Sequence, residues 1–131
     1  MNMDYLADTV TIIRHFSKTG SIGKEARNIL AAAEKGRVSI HLSVLSLVEI
    51  MYLSQKNRIA IDLAETIRII NASENYSIID LSPGIVTVAD SIGFYELFDR
   101  LIIATARFLD VPLLTCDKEI RKSQIIEVIW E

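Results

Sequence analysis

The stretch from Glu96 to Asp117, ELFDRLIIATARFLDVPLLTCD, constrains this chain most. Asp99 is expected to open a helix in which Leu101, Ile102, Ile103, Ala104, Ala106, Phe108 and Leu109 cover nearly every face, so it belongs in a core. Pro112 stops that helix, and Leu113-Leu114-Thr115 is too short and too apolar to be anything except a buried strand. Asp117 follows at once. A buried helix feeding a buried strand, with an acid at each end, is the repeating unit of a parallel sheet with acids on its rim.

The rest of the chain repeats that alternation. Tyr5 to Asp8 reads as a first strand ending on an acid, and Thr9 to Lys18 has helical spacing through Ile12, Ile13 and Phe16. Thr19-Gly20-Ser21 breaks it, and Ile22 to Lys35 forms a second helix stopped by Gly36. Val38 to Leu42 alternates as a second strand. Ser43 is a good N-cap for a helix reaching about Asn57, and another runs from Ile61 to Ala72. Ser77 to Leu81 is a third strand closed by Ser82-Pro83-Gly84. A short helix then covers Ile85 to Ile92. Glu119 to Lys122 gives a last helical turn and Ile126 to Trp130 a final strand. The pattern predicts an α/β fold with a mostly parallel central sheet and helices on both faces.

With 131 residues, half of them hydrophobic, the chain fits one domain with a sizeable core. No apolar run reaches the roughly 18 residues that cross a bilayer. Met1-Asn2-Met3-Asp4 lacks the basic and apolar regions of a signal peptide. The lone Cys116 rules out an internal disulfide, fits a reducing cytoplasm, and reads as a small apolar filler. The net charge of -3 argues mildly against a polyanionic partner, which would need a local basic patch or metal ions.

Ligands of such sheets bind outside the carboxyl ends of the strands. Asp8, Ser43 and Asp117 stand there, Asp99 leads into the fourth strand, and Glu49 lies two turns into the helix after Ser43. Asp8, Asp99 and Asp117 each precede a predicted helix, so capping alone explains any one of them. Glu49 by periodicity is an ordinary solvated residue. If the four converge, their charges repel unless a cation intervenes. An oxygen-only donor set then suits Mg²⁺ or Mn²⁺, which supports hydrolysis of a phosphodiester. His15 reads as a helix-face residue and His41 as a strand residue, neither with metal-ligand spacing.

Four segments then carry a resemblance: Leu6-Ala7-Asp8-Thr9, Ser43 to Ile50 (SVLSLVEI), Asp99 to Ala106 (DRLIIATA) and Pro112 to Asp117 (PLLTCD), with Val128-Ile129-Trp130 as a closing strand. In order and spacing the chain resembles the PIN domain ribonucleases, and among them the VapC-type toxins of toxin–antitoxin pairs. The resemblance covers residues 1–131 and implies a single PIN-like domain, a three-layer α/β/α fold around about four or five short strands. It implies an endoribonuclease with Mg²⁺ or Mn²⁺ held by Asp8, Glu49, Asp99 and Asp117. Thr9 and Thr115 would orient those acids, and Glu96 sits where some relatives carry an additional acid. The resemblance further implies a homodimer in the cytoplasm, silenced by a small antitoxin protein whose C-terminal segment covers the site. After Asp-Thr the family most often has Asn, His or Ser, whereas this chain has Val10, which removes one polar group near the first acid.

Arg14, Arg100, Lys118, Arg121 and Lys122 each follow an acid closely and are candidates to hold the RNA substrate, although solvation or helix-end charge balance would also explain them. The chain lacks the aromatic and glycine pattern of an RNA-recognition sheet, so phosphate tracking and RNA shape should dominate. Three alternatives compete. A phospho-acceptor module would want an acidic pair after the first strand, an acceptor Asp at the end of the third and a Lys late in the chain, whereas only Asp8 follows the first strand, Asp80 lies inside its strand and no Lys follows the last. A PIN-like module could bind RNA or protein without cutting. A DNA or flap nuclease would want inserted gripping segments, which this chain lacks.

Overall fold

The computed structural model describes residues 3–131. Met1 and Asn2, part of the expected 1–131 domain, lie outside the described residues. The elements are β1 (Met3–Ala7), α1 (Thr9–Ser17), α2 (Lys24–Glu34), β2 (Val38–Ser43), α3 (Val44–Gln55), α4 (Leu63–Ala72), β3 (Tyr76–Ile79), α5 (Pro83–Asp90), α6 (Leu97–Leu109), β4 (Leu113–Leu114), α7 (Lys118–Ser123) and β5 (Val128–Ile129).

The five strands form one sheet in the order β3-β2-β1-β4-β5. Every pairing is parallel, where the sequence reading expected a mostly parallel sheet. From β1 to β3 the chain steps outward in one direction; it then jumps back past β1 and steps outward the other way. Right-handed crossovers therefore put the two sets of helices on opposite faces. The cores agree. Tyr5, Ala7, Ile40, Leu42 and Leu114 face Ile12, Leu30, Leu47, Ile50 and Ile70 on one side. Leu6 and Leu113 face Ile85, Ala89, Ile102, Ile103, Ala106 and Ile120 on the other. Alternation along β1 and β4 sends successive side chains to opposite faces. Each fully buried Leu or Ile among them contributes about 1.5–3 kcal/mol of transfer free energy.

Several boundaries differ from the sequence expectation, each for a local reason. Glu96, not Asp99, caps α6: its side chain accepts from the Asp99 backbone N–H, which puts Asp99 in the first turn. Five successive residues of α6, Ile102 to Ala106, are buried, but Phe108 is half exposed and lies against Gly84. Ser82-Pro83 starts α5 instead of closing a strand, with Ser82 accepting from the Ile85 N–H and Pro83 in the first turn, where its missing N–H costs nothing. β3 ends at Ile79, leaving Asp80 exposed beyond it. α2 begins at Lys24, because Gly23 lies directly against the Trp130 carbonyl, whose oxygen accepts from the Ala26 N–H at 3.1 Å.

Candidate active site

The strand order creates one reversal point. β1 pairs with β2 on one side and with β4 on the other, Ala7 standing opposite Leu114. The crevice outside the carboxyl ends of β1 and β4 is where an open α/β sheet binds its ligand. Asp8 leaves β1 there, and Thr115, Cys116 and Asp117 leave β4. Glu49 reaches in from α3, and Asp99 from the first turn of α6. Asp8, Thr9, Val10, Glu49, Asp99, Ile102, Cys116 and Asp117 line one cleft of about 140 Å³. Val10 is partly exposed in its wall and makes that part of it apolar.

Two of the acids also cap helices. Asp8 Oδ1 accepts from the Thr11 backbone N–H at 2.9 Å and opens α1. Asp117 Oδ1 accepts from the N–H groups of Glu119 and Ile120 and opens α7. Capping and cleft lining therefore coexist, because a cap at a strand's carboxyl end points its carboxylate at the rim. The remaining atoms of Asp8 are nearly spoken for. Thr11 Oγ1 lies 2.7 Å from Asp8 Oδ1 and 3.0 Å from the Leu114 carbonyl, so it shares one proton between two acceptors. The Thr115 hydroxyl donates to Asp8 Oδ2. Thr115 Oγ1 in turn accepts from the Asp117 N–H at 3.1 Å, tying the two acids together.

Glu49 is not a solvated helix residue. The Thr9 hydroxyl donates to Glu49 Oε1 at 2.6 Å, and Thr9 Oγ1 lies 3.0 Å from Ser46 Oγ, both hydroxyl residues being buried. Ser46 is read from the sequence only as a neighbour of Glu49 on one helix face, and Thr11 carries no sequence signal except its place three residues after a capping acid.

The electrostatics follow from this crowding. Asp99 is pushed up to about 6, first by burial and then by the charges of Glu96, Asp117, Glu49 and Asp8. Burial also raises Glu49, opposed by the Thr9 hydrogen bond and reinforced by Glu96 and Asp8. Burial raises Asp8 despite the hydrogen bonds from Thr115 and Thr11 that favour its charged form. Among the described residues no Lys or Arg forms an ion pair with any of these acids. The cleft thus presents oxygen donors that, among the described residues, no Lys or Arg neutralises. That donor chemistry fits a hard divalent ion, with Asp8 Oδ2 keeping one lone pair free of Thr115. Among the described residues, however, no three acids, histidines or cysteines are gathered into a ready metal cage. Mg²⁺ does not require one, since it keeps several waters and takes one or two carboxylates.

The basic candidates divide. Arg14 comes close: its Nη1 donates to the Ser21 carbonyl at 2.9 Å and lies 4.0 Å from the Cys116 sulfur in the cleft wall. Lys118, Arg121 and Lys122 are exposed on α7, the helix that Asp117 opens. Arg100 turns away and lines a different cleft, with Val86, Ala89, Asp90, Leu97 and Leu101, where its buried Nε has no hydrogen-bond partner among the described residues. Glu96 is exposed as the α6 cap and lines an adjoining groove together with Glu49. His15 bonds Glu34 and Tyr76, and His41 bonds Ser77 and Asp4, so both histidines serve other contacts. Asp80 follows the edge strand β3 and takes no part in the acidic cleft, which leaves the phospho-acceptor alternative without its acceptor.

The fold and site define a small parallel α/β domain with an acidic cleft at the reversal point of its sheet. The PIN domain family matches residues 5–125, and the chain belongs to that family. No curated protein sequence matches the chain. Among solved structures the fold is similar to VapBC2 from Rickettsia felis, solved bound to a DNA fragment from their promoter, at 17% identity over 98% of this chain and 100% of that one, with a TM-score of 0.71. It is similar to VapBC-1 from nontypeable Haemophilus influenzae at 16% identity over 97% of both chains, with a TM-score of 0.66. A toxin-antitoxin complex from Klebsiella pneumoniae matches at 23% identity over 95% of both chains, with a TM-score of 0.62. At these identities the likeness is one of fold.

Proposed function

We propose that the protein is a metal-dependent endoribonuclease and the toxin component of a type II toxin–antitoxin pair. The observation that carries this is the cleft itself: Asp8, Glu49, Asp99 and Asp117, from four separate segments, line one crevice at the sheet's reversal point, and among the described residues no cation is paired to them. Asp8, Glu49, Asp99 and Asp117 would hold Mg²⁺ or Mn²⁺, which supplies a water of lowered pKa and polarises a phosphoryl oxygen. The chain's own part is positional. Thr115 and Thr11 hold the Asp8 carboxylate, Thr9 holds Glu49, and Ile102 and Val10 keep the walls apolar so that charge inside the cleft is felt strongly.

The toxin reading is supported by the fold's likeness to proteins solved as VapBC and toxin-antitoxin complexes. We propose a small antitoxin as partner. It would cover the acids from an adjoining groove of about 460 Å³ lined by Val48, Met51, Tyr52, Leu53 and Phe98, which shares Glu49 with the acidic cleft. A homodimer and a cytoplasmic location belong to the same proposal. Among the described residues no helix is long and apolar enough to cross a membrane.

A second reading, a non-catalytic PIN-like module that binds RNA or protein, draws on the lack of a ready metal cage among the described residues. RNA cleavage with and without Mn²⁺, by the wild type and Asp99→Asn, separates the two. Cleavage that needs the metal and is lost in the variant supports the nuclease. Metal binding without cleavage of any RNA supports the module.

A further inference from the structure

An RNA strand approaching this protein meets a net charge of -3 and, at the proposed cutting site, a further concentration of acid. Metal ions offset the repulsion at the scissile phosphate only. The neighbouring phosphates need cations of their own.

One place supplies them. Arg14 from α1, Lys18 at its C-cap and Arg27 from α2 line a second cleft, of about 440 Å³. Its other walls are His15, the turn Thr19-Gly20-Ser21 and Ile22, with no acid among them. His15, in that wall, is bonded to Glu34 at 3.1 Å. Lys18 and Arg27 are exposed, and among the described residues neither they nor Arg14 form an ion pair.

The turn is built around Arg14. Gly20 has φ +66, and a Cβ there would stand 2.9 Å from Arg14 Nε and 3.0 Å from its Cδ, so the backbone lies flat on the side chain. Nη1 is fixed by the Ser21 carbonyl at 2.9 Å, while among the described residues Nε and Nη2 have no partner. The guanidinium is therefore positioned in advance with donors to spare, which lowers the ordering cost of binding an anion. The same Nη1 lies 4.0 Å from the Cys116 sulfur, and Cys116 lines the acidic cleft. The two clefts meet at that contact.

We infer that the Arg14–Lys18–Arg27 cleft seats the RNA backbone on one side of the cleavage point, holding phosphates through charge and not reading bases. The inference rests on the ribonuclease reading and names how that site engages its substrate.

The test is binding of a labelled single-stranded oligoribonucleotide in EDTA, where nothing is cut, across a salt series. The proteins are wild type, Lys18→Gln/Arg27→Gln, the same pair with Arg14→Gln, and Lys35→Gln/Arg37→Gln in the turn that leads into β2. The side chains of Lys18 and Arg27 make no hydrogen bond among the described residues, so the double variant should keep its fold, checked by thermal melting. The slope of log affinity against log salt should become shallower by about 0.7 for each cleft cation removed, with equal weakening for oligonucleotides of different sequence. With metal added, KM for cleavage should rise while kcat stays near the wild-type value. The proposal is overturned by an unchanged slope and affinity in the cleft variants, which would leave the cleft to an acidic protein segment. An equal loss in Lys35→Gln/Arg37→Gln, or no salt-dependent binding by the wild type, overturns it too. The ribonuclease reading fails by a different result: metal-dependent cleavage that persists in Asp99→Asn, or is absent in the wild type.

Discussion

The Thr9 hydroxyl and the Glu49 carboxylate, 40 residues apart, meet at 2.6 Å across the junction of α1 and α3. This bond fixes which way Glu49 points, and it favours the charged form that a metal needs. Thr9→Val keeps the volume and removes the donor. Mn²⁺ affinity, measured by calorimetry, is expected to fall about tenfold or more, while Thr9→Ser stays close to wild type. Equal affinity in all three proteins would show that Thr9 only packs.

The acids should make the metal-free protein unusually sensitive to pH. Asp99 titrates near 6 when folded, against an ordinary value of 3.8. The folded state thus holds more protons than the unfolded state between those values. The stability this gives is complete below about pH 4 and is lost as pH rises through about 6. Burial shifts Asp8 and Glu49 in the same direction. In EDTA, Asp99→Asn should therefore melt above the wild type at about pH 7, and the gap should close towards about pH 4. A gap that stays constant with pH would show that repulsion at Asp99 is relieved in some other way.

Gly23 tests the closing strand separately from the site. A Cβ at Gly23 would stand 2.1 Å from the Trp130 carbonyl oxygen and 2.8 Å from the Trp130 ring. Backbone cannot yield as a flexible side-chain tip does, so Gly23→Ala should cost about 1–3 kcal/mol in urea unfolding. Gly93→Ala, with nothing within 4 Å of its Cβ, is the control and should stay within about 0.5 kcal/mol of wild type. Metal affinity should be unchanged in both. A neutral Gly23→Ala would mean that the Trp130 end moves aside freely.

Glu96 serves two opposed ends. It caps α6 through the Asp99 N–H at 2.6 Å, and its charge helps to raise Asp99. Glu96→Gln keeps the acceptor and removes the charge, so the onset of metal binding should move to lower pH with little change in melting temperature. Glu96→Ala should lose about 1 kcal/mol from the missing cap. Identical pH profiles for the wild type and Glu96→Gln would contradict the electrostatic role.

Much of this was legible before any coordinates, and the failures have physical causes. Period-two and period-3.6 patterns located the five strands and the main helices, because burial on a known face leaves that signature. Cap chemistry misled where two acids compete: Glu96 and Asp99 are three residues apart, and only the backbone geometry decides which accepts and which donates its N–H. Arg100 follows Asp99 directly, yet one step along a helix turns a side chain about 100°, which carries it to the α5 side. No local pattern encodes that Ala7 pairs with Leu114, so the meeting of Asp8, Thr115 and Asp117 rested on resemblance until the strand order was known. The basic cleft was illegible for the same reason. Its cations sit on α1, a C-cap and α2, and the turn around Gly20 brings them together.

The most direct measurement is Mn²⁺ or Mg²⁺ binding by calorimetry on the wild type and Asp99→Asn, with RNA cleavage followed in the same buffers. Four acids that line one cleft and repel one another predict metal binding and cleavage in the wild type, and loss of both in the variant with the fold intact. A well-folded wild type that binds no metal would contradict it, and would leave Asp8 and Asp117 as helix caps and the cleft as a surface for a binding partner.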